Sequence, residues 1–183
     1  MALRSGADAV FELPTLFAVR DAERFARGGV ALLDALGVVT HLGFGSETGT
    51  LEPLFAIAGA EVDLAAVRRG LSEGKTLARA RGEALGMPPD APNDTLAVEY
   101  LRAIGHLHSS MEPETIKREG SGYHDGEMSQ MASATAIRMA LYAGQDAFAA
   151  MPPQAWALLR RLWQAGAYQL EDGLDTVLLA TLR

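Results

Sequence analysis

The 183-residue sequence contains no cysteine, which excludes disulfide scaffolds, thiol catalysis and cysteine-ligated zinc. That absence fits a reducing compartment, and a cytoplasmic location is the expectation. No apolar run reaches the ~18–20 residues of a membrane-spanning helix. No charged-then-apolar leader is read at the start, so no membrane partner is expected. Lysine is scarce: Lys75 and Lys117 stand against 14 arginines in an alanine-rich chain. This pattern reads as the codon bias of a GC-rich genome, so a lone arginine carries less meaning than usual. Acidic residues outnumber basic ones 23 to 16, for a net charge of -7. Gripping nucleic acid by bulk charge is therefore disfavoured, and only a local basic face stays open.

What is present is globular. Hydrophobic residues make up 49% and charged residues 21% of a length suited to one domain with a helical appendage. Asp8–Leu13 is a short apolar run closed by Pro14, and it reads as a buried strand. Asp21 caps a following helix with Phe25, Leu32, Leu33 and Leu36 as its apolar positions, and Gly37 closes it. Val38–Phe44 then reads as a second strand. Strand, helix and strand predict a βαβ unit with a parallel sheet. From Leu51 to Gly86 the spacing is helical. Three prolines between Gly86 and Asn93 mark a loop, after which Asn93 or Asp94 caps another helix. His106–Ile116 reads as short extended pieces and Gly120–Gly126 as a polar glycine-rich loop. A helix from Ser133 to about Ala143, a helix opened by Pro152 and Pro153, and an amphipathic Leu174–Leu182 run complete the chain.

Ligands of open parallel sheets sit beyond the carboxyl ends of the strands. That rule selects the loop Glu12–Pro14 and the loop Gly45-Ser46-Glu47. Gly45 would let backbone approach a nucleotide and Ser46 would donate a hydrogen bond; the alternative is a plain turn. Ser133, Thr135 and Arg138 read either as an anion-binding helix start or as an ordinary capped helix with a solvated arginine. Lys117 and Arg118, before the glycine-rich loop, read as a polyphosphate clamp or as two solvated charges. Glu12 and Glu47 admit an acid/base pairing whose separation nothing in the sequence sets. His106-x-His108 would place two imidazoles on one strand face, with no third metal ligand identifiable. The Trp156/Trp163 stripe reads as core packing rather than a stacking platform.

Taken in order, these segments resemble one family. Gly6-Ala-Asp8 with Phe11-Glu-Leu-Pro14, Phe44-Gly-Ser-Glu47, Pro92-Asn93 with Glu99-Tyr100, Ile116-Lys-Arg118, Gly122-Tyr-His-Asp125 and Ser133-Ala-Thr-Ala-Ile-Arg138 are similar to motifs of the tRNA(Met) cytidine acetate ligases. The resemblance covers residues 1–140 strongly and the tail weakly. It implies an α/β fold, a Rossmann-like parallel sheet of the nucleotidyltransferase type that is incomplete at its N-terminus. Residues 1–145 would form that domain and 146–183 a helical C-terminal segment. The implied chemistry is activation of acetate with ATP to acetyl-adenylate and acylation of the wobble cytidine of elongator tRNA(Met), giving N4-acetylcytidine.

By motif, Gly45 resembles the adenosine-side glycine, with Ser46 beside it, and Asn93 the ATP-contacting asparagine. Arg118, with Lys117, resembles the nucleotide-binding arginine. Ser133, Thr135 and Arg138 resemble the phosphate-binding helix start. Expected partners are ATP with Mg²⁺, acetate and elongator tRNA(Met), with self-association of an exposed sheet edge as a further expectation. One departure stands out: the family's His-Asn-Gly-His loop has no counterpart, because the 183 residues contain no His-x-Gly-His. The expectation is thus a truncated or divergent member with little activity of its own. The alternatives are a non-catalytic nucleotide-binding or oligomerisation module and a small-molecule adenylyltransferase of the same superfamily.

Overall fold

A computed structural model of the chain describes residues 2–87, 91–118, 132 and 134–167. It divides into two compact units: Glu12–Arg118, and Met1–Phe11 together with Glu119–Arg183. The boundary at residue 145 drawn from the sequence falls inside the latter.

In the Glu12–Arg118 unit, a single turn α1 (Thr15–Ala18) leads into α2 (Ala22–Ala35). Asp21 caps α2, its carboxylate accepting the Arg24 N–H at 3.1 Å, and Gly37 follows the helix end with φ +67°. Both signals were legible in the sequence. The buried face of α2 is Ala26, Gly28 and Val30, however, whereas Phe25, Leu32 and Leu33 are only half-buried and Leu36 is exposed. Small residues face inward because α2 lies close against α6 (Pro92–Leu107), where Ala103 shares a cluster with Val30.

Among the described residues the sheet consists of two parallel strands, β1 (His41–Ser46) and β2 (Glu112–Lys117), registered His41 to Glu112 through Ser46 to Lys117. Between them run α3 (Leu51–Gly59), α4 (Leu64–Ser72), α5 (Leu77–Ala84) and α6. Several expectations are corrected here. Asp8–Leu13 is not a strand: it makes no ladder, and Val10 and Phe11 are exposed. An apolar run becomes a strand only where a neighbouring strand takes its N–H and C=O groups. The second strand starts at His41 rather than Val38, so the parallel pair is β1–β2 rather than the two strands flanking α2. The helical stretch from Leu51 to Gly86 is three helices, because Asp63 and Thr76 each cap a new start by accepting backbone N–H groups. His106 lies in the last turn of α6 and His108 is its C-cap, at φ 50°, so no strand face holds the two imidazoles together.

The core follows from α6 crossing the inner face of β1. Leu54, Met87, Ala97, Val98 and Leu101 form one cluster, and Val30, Leu42, Ala103 and Met111 another, with Phe44 against both. Burying a leucine or valine contributes ~1.5–3 kcal/mol relative to exposure, so these nine residues fix β1 relative to α6.

In the other unit, α7 (Ala134–Tyr142) and α8 (Pro153–Gln164) are joined through a turn at Gly144 and a 3₁₀ turn at Phe148–Ala150. The 3₁₀ turn Ala2–Ser5 packs on α8. Pro152 and Pro153 open α8 as their fixed φ and missing N–H allow. The expected Ser133 cap, the 120–126 loop and the 174–182 run lie outside the described residues.

Candidate functional site

The C-terminal ends of β1 and β2 lie side by side, and the ladder continues one residue further: the Arg118 N–H donates to the Ser46 carbonyl at 2.9 Å. Side chains alternate across a strand. On one face Gly43, Gly45 and Ile116 are exposed. A Cβ on Gly45 would stand 3.3 Å from Cγ of Arg118, so the arginine stem lies directly over the glycine backbone. On the other face Ser46 is completely buried. Its hydroxyl shares a 2.8 Å hydrogen bond with that of Thr115 and accepts the Gly49 N–H at 2.8 Å. Gly49 has φ +75°, and a Cβ there would come within 2.5 Å of Cβ of Lys117. Lys117 therefore rests on the Gly49 turn and Arg118 on Gly45. Each neighbouring cation has its own glycine seat.

The loop after β1 and the start of α6 are tied by two carboxylates acting in opposite directions. Glu47 accepts the N–H of Asp94 at 2.8 Å and of Asn93 at 3.3 Å, together with the Asn93 side-chain amide at 2.6 Å. Asp94 accepts the N–H of Glu47 at 2.9 Å and of Thr48 at 3.1 Å, and the Thr48 hydroxyl at 2.6 Å. Glu47 thus supplies the negative charge that the N-terminus of α6 favours. Sequence reasoning placed the cap at Asn93 or Asp94. The helix in fact begins at Pro92, and Asp94 caps the β1 loop instead. Burial tends to raise the Glu47 pKa, but the bonds from Asn93 and Asp94 outweigh it and hold the carboxyl below its ordinary value. Glu47 thus serves as a cap, both of its carboxylate oxygens accepting hydrogen bonds from Asn93 and Asp94.

The structure brings Gly45, Ser46, Asn93, Lys117 and Arg118 together in one unit. Asn93 is held by Glu47 through its amide nitrogen, and its Oδ1 accepts no hydrogen bond among the described residues. Thr135 and Arg138 lie on α7 in the other unit. Arg138 leans toward the helix start, donating to Thr135 Oγ1 at 3.3 Å; Ser133 lies outside the described residues. Sequence reasoning missed Asp94, Thr48 and Gly49 as site-builders. Only the left-handed turn at Gly49 had a local signal, a glycine shortly after a strand. Among the described residues no cluster of His, Asp and Glu is arranged to hold a metal. Glu47 and Asp94 offer Mg²⁺ no free face, because all four carboxylate oxygens accept N–H or O–H donors.

A family model of the HIGH nucleotidyl transferases matches residues 1–183. The chain belongs to this family. Among curated relatives, the tRNA(Met) cytidine acetate ligase of Syntrophomonas wolfei is 38% identical over 205 residues, covering 100% of this chain and 49% of the relative. The crystal structure of Thermotoga maritima TmcAL (apo, form I) superposes with a TM-score of 0.78 at 33% identity, covering 90% of this chain and 44% of that one. The same enzyme bound with alpha-thio ATP gives a TM-score of 0.76 at 32% identity, covering 90% and 43%. The resemblance to the acetate ligases read from the motifs is thus borne out, and so is the α/β nucleotidyltransferase fold. The chain spans about half the length of the curated relatives it matches.

Proposed function

We propose that this chain is the ATP-binding part of a tRNA(Met) cytidine acetate ligase. The observation that carries the reading is the convergence of Gly45, Asn93 and Arg118 at the carboxyl ends of two parallel strands, where nucleotides bind in such sheets. Gly45 lets the Arg118 stem lie flat on the strand end, Asn93 Oδ1, which accepts nothing among the described residues, is an acceptor for an exocyclic amine, and Arg118 supplies positive charge over the glycine. The alpha-thio ATP complex of the Thermotoga maritima relative supports ATP as the ligand. In the reaction, a carboxylate oxygen of acetate attacks the α-phosphorus of ATP and expels pyrophosphate, leaving acetyl-adenylate. The N4 amine of the wobble cytidine of elongator tRNA(Met) then attacks the acetyl carbonyl, AMP leaves, and the nitrogen loses a proton. Preorganised cations and N–H groups stabilise the charge that develops on the phosphate. Mg²⁺ enters as the MgATP substrate, with no side chain here assigned to it.

Calorimetric titration of MgATP tests the site. Arg118→Ala is expected to weaken ATP by roughly 10- to 150-fold, the worth of a charge-assisted contact. ATP affinity unchanged in Arg118→Ala and Asn93→Ala, with folding intact, overturns the assignment.

One observation favours a second reading, nucleotide binding without acetyl transfer: the 183 residues contain no His-x-Gly-His. Losing one preorganised donor to the transferring group removes ~3–4 kcal/mol of transition-state stabilisation. Incubation of the chain with ATP, acetate and elongator tRNA(Met), followed by nucleoside mass spectrometry, separates the two. N4-acetylcytidine above background supports the ligase reading for this chain itself, whereas ATP binding without it supports the second.

A further inference from the structure

The two edges of the β1–β2 sheet differ in what they offer a further strand. The Glu112 N–H donates to the Thr40 carbonyl at 2.9 Å and the Arg118 N–H to the Ser46 carbonyl at 2.9 Å. These two bonds bracket the ladder and fix which residues of each strand face the other. In a parallel pair, alternate residues bond to the neighbouring strand and those between them point to the opposite side. Leu42, Phe44 and Ser46 therefore bond to β2. The N–H and C=O groups of His41, Gly43 and Gly45 point to the outer edge of β1, and the backbone of Pro113, Thr115 and Lys117 to the outer edge of β2.

The β2 edge is blunted. Pro113 has no N–H for a further strand, and Lys117 adds a charge. The β1 edge has no such guard, because His41-Leu-Gly-Phe-Gly-Ser46 contains no proline, lysine or carboxylate. His41, Gly43 and Gly45 are exposed, and their backbone groups have no hydrogen-bond partner among the described residues. Arg118 lies over Gly45, but a Cβ on Gly43 would meet nothing within 4 Å. A glycine inside a strand weakens it and often marks the close approach of another backbone. Among the described residues none approaches Gly43.

The outward groups are also self-complementary, recurring at His41, Gly43 and Gly45 evenly about Gly43. Two copies of β1 run antiparallel about that glycine match at every position. Gly43 faces Gly43 and His41 faces Gly45, each pair exchanging both of its N–H···O bonds. The pleat is kept, so Leu42 comes beside Phe44 of the second copy on the core side.

We propose that β1 pairs antiparallel with β1 of a second copy of this chain, joining the sheets in the order β2–β1–β1–β2. A two-stranded sheet is marginal by itself, and widening it is what favours the pair. The same register sets His41 of the second copy across from Gly45, the seat of Arg118. Each strand-end site thereby gains a residue from its neighbour.

Sedimentation velocity on the whole chain, from about 1 to 300 µM, should show monomer giving way to dimer. Hydrogen exchange over the same range reads the edge itself. The His41, Gly43 and Gly45 amides should exchange freely when dilute and gain protection as the dimer forms. Those of Leu42 and Phe44, bonded to β2, should be protected throughout. Gly43→Pro removes an outward N–H that the β1–β2 ladder does not use. It should weaken the dimer by about tenfold or more while Leu42 and Phe44 stay protected. The chain has no cysteine, so Gly43→Cys introduces a single thiol. Directly opposed Cα atoms stand about 5.5 Å apart, within disulfide reach, and oxidation should give a covalent dimer. Gly59→Cys, equally open at the end of α3, should not. A chain that stays monomeric over the whole range overturns the proposal. So does a dimer in which His41, Gly43 and Gly45 remain unprotected. Protection of Val10 and Phe11 together with that edge also overturns it, by seating the Asp8–Leu13 run there instead.

Discussion

Glu47 and Asp94 each cap the segment that carries the other. The Glu47 carboxylate accepts the backbone N–H of Asp94, and the Asp94 carboxylate accepts the backbone N–H of Glu47, at 2.8 and 2.9 Å. Such reciprocity locks two chain segments far apart in sequence at one relative height. Strand β1 and helix α6 cannot slide along each other without breaking both caps. Asn93 gains its position from this lock, since Glu47 holds its amide at 2.6 Å.

The first prediction is acid sensitivity. Glu47 has a folded-state pKa held below the ordinary value of 4.5. Between the two values the folded state binds fewer protons than the unfolded chain. Its contribution to stability is therefore complete above about pH 5 and lost as pH falls through the lowered value. Glu47→Gln replaces an acceptor with an NH₂ facing N–H donors, and it is expected to cost ~1–3 kcal/mol at pH 7. Urea unfolding at pH 7 and pH 3.5 checks this: the gap between wild type and Glu47→Gln should narrow at the lower pH. A constant gap would remove the ionised cap.

Adjacent glycines in α2 should respond with opposite signs. A Cβ on Gly28 would collide with the Phe17 side chain, whereas one on Gly29 meets nothing within 4 Å. Gly29→Ala should gain ~0.5–1 kcal/mol from helix propensity. Gly28→Ala gains the same propensity but must displace Phe17, and overpacking of this kind costs ~1–3 kcal/mol. Thermal unfolding of the two variants should bracket the wild-type midpoint; if both rise, α1 does not seat on α2.

Arg102 joins two helices. Its side chain, 10% exposed, donates to Glu99 at 3.0 Å and to the carbonyls of Ile57, Ala58 and Ala60 at the end of α3. Arg102→Met leaves those carbonyls bare and deprives buried Glu99 of its nearest cation, so a loss of ~3–5 kcal/mol is expected. Arg102→Met/Glu99→Gln should recover part of it, because the stranded charge is then gone. Denaturant midpoints for the wild type, the single and the double variant decide; no recovery would locate the loss at the α3 carbonyls.

What could be read in the sequence was whatever depends on neighbours along the chain. Asp21 and Gly37 announce their helix, and Pro153 opens another, because caps and proline act within a few residues. Motif order also identified the family, since each motif is contiguous. The clamp of Glu47 on Asp94 could not be read: two acidic residues 47 positions apart carry no mark of facing each other's N–H groups. Asp8–Leu13 failed for the opposite reason. Its composition fits a strand, yet strand formation is decided by a partner that composition does not supply. Tertiary packing likewise overrode the apolar pattern of α2, turning Ala26 and Val30 inward because α6 approaches too closely for Phe25.

The last prediction concerns Arg138 as a phosphate contact, the role that the Ser133–Arg138 motif resembles. Long side chains on a helix lean toward its N-terminus, and Arg138 does so, reaching Thr135 Oγ1 at 3.3 Å. That bond to a neutral hydroxyl is long and easily exchanged for a phosphate oxygen, where the guanidinium would gain a charge-assisted pair. Arg138→Ala should therefore weaken ATP by ~1.5–3 kcal/mol, or roughly 10- to 150-fold. Adenosine, which has no phosphate, should bind the variant as it binds the wild type. Arg24→Ala serves as the control for losing one positive charge, because Arg24 is tied to Asp21 at 2.6 Å on α2. Calorimetry with ATP and adenosine on the three proteins gives the comparison. An equal fall in ATP affinity for Arg24→Ala and Arg138→Ala would reduce the effect to net charge. Equal ATP affinity in the wild type and Arg138→Ala would leave Arg138 as the solvated arginine of an ordinary helix.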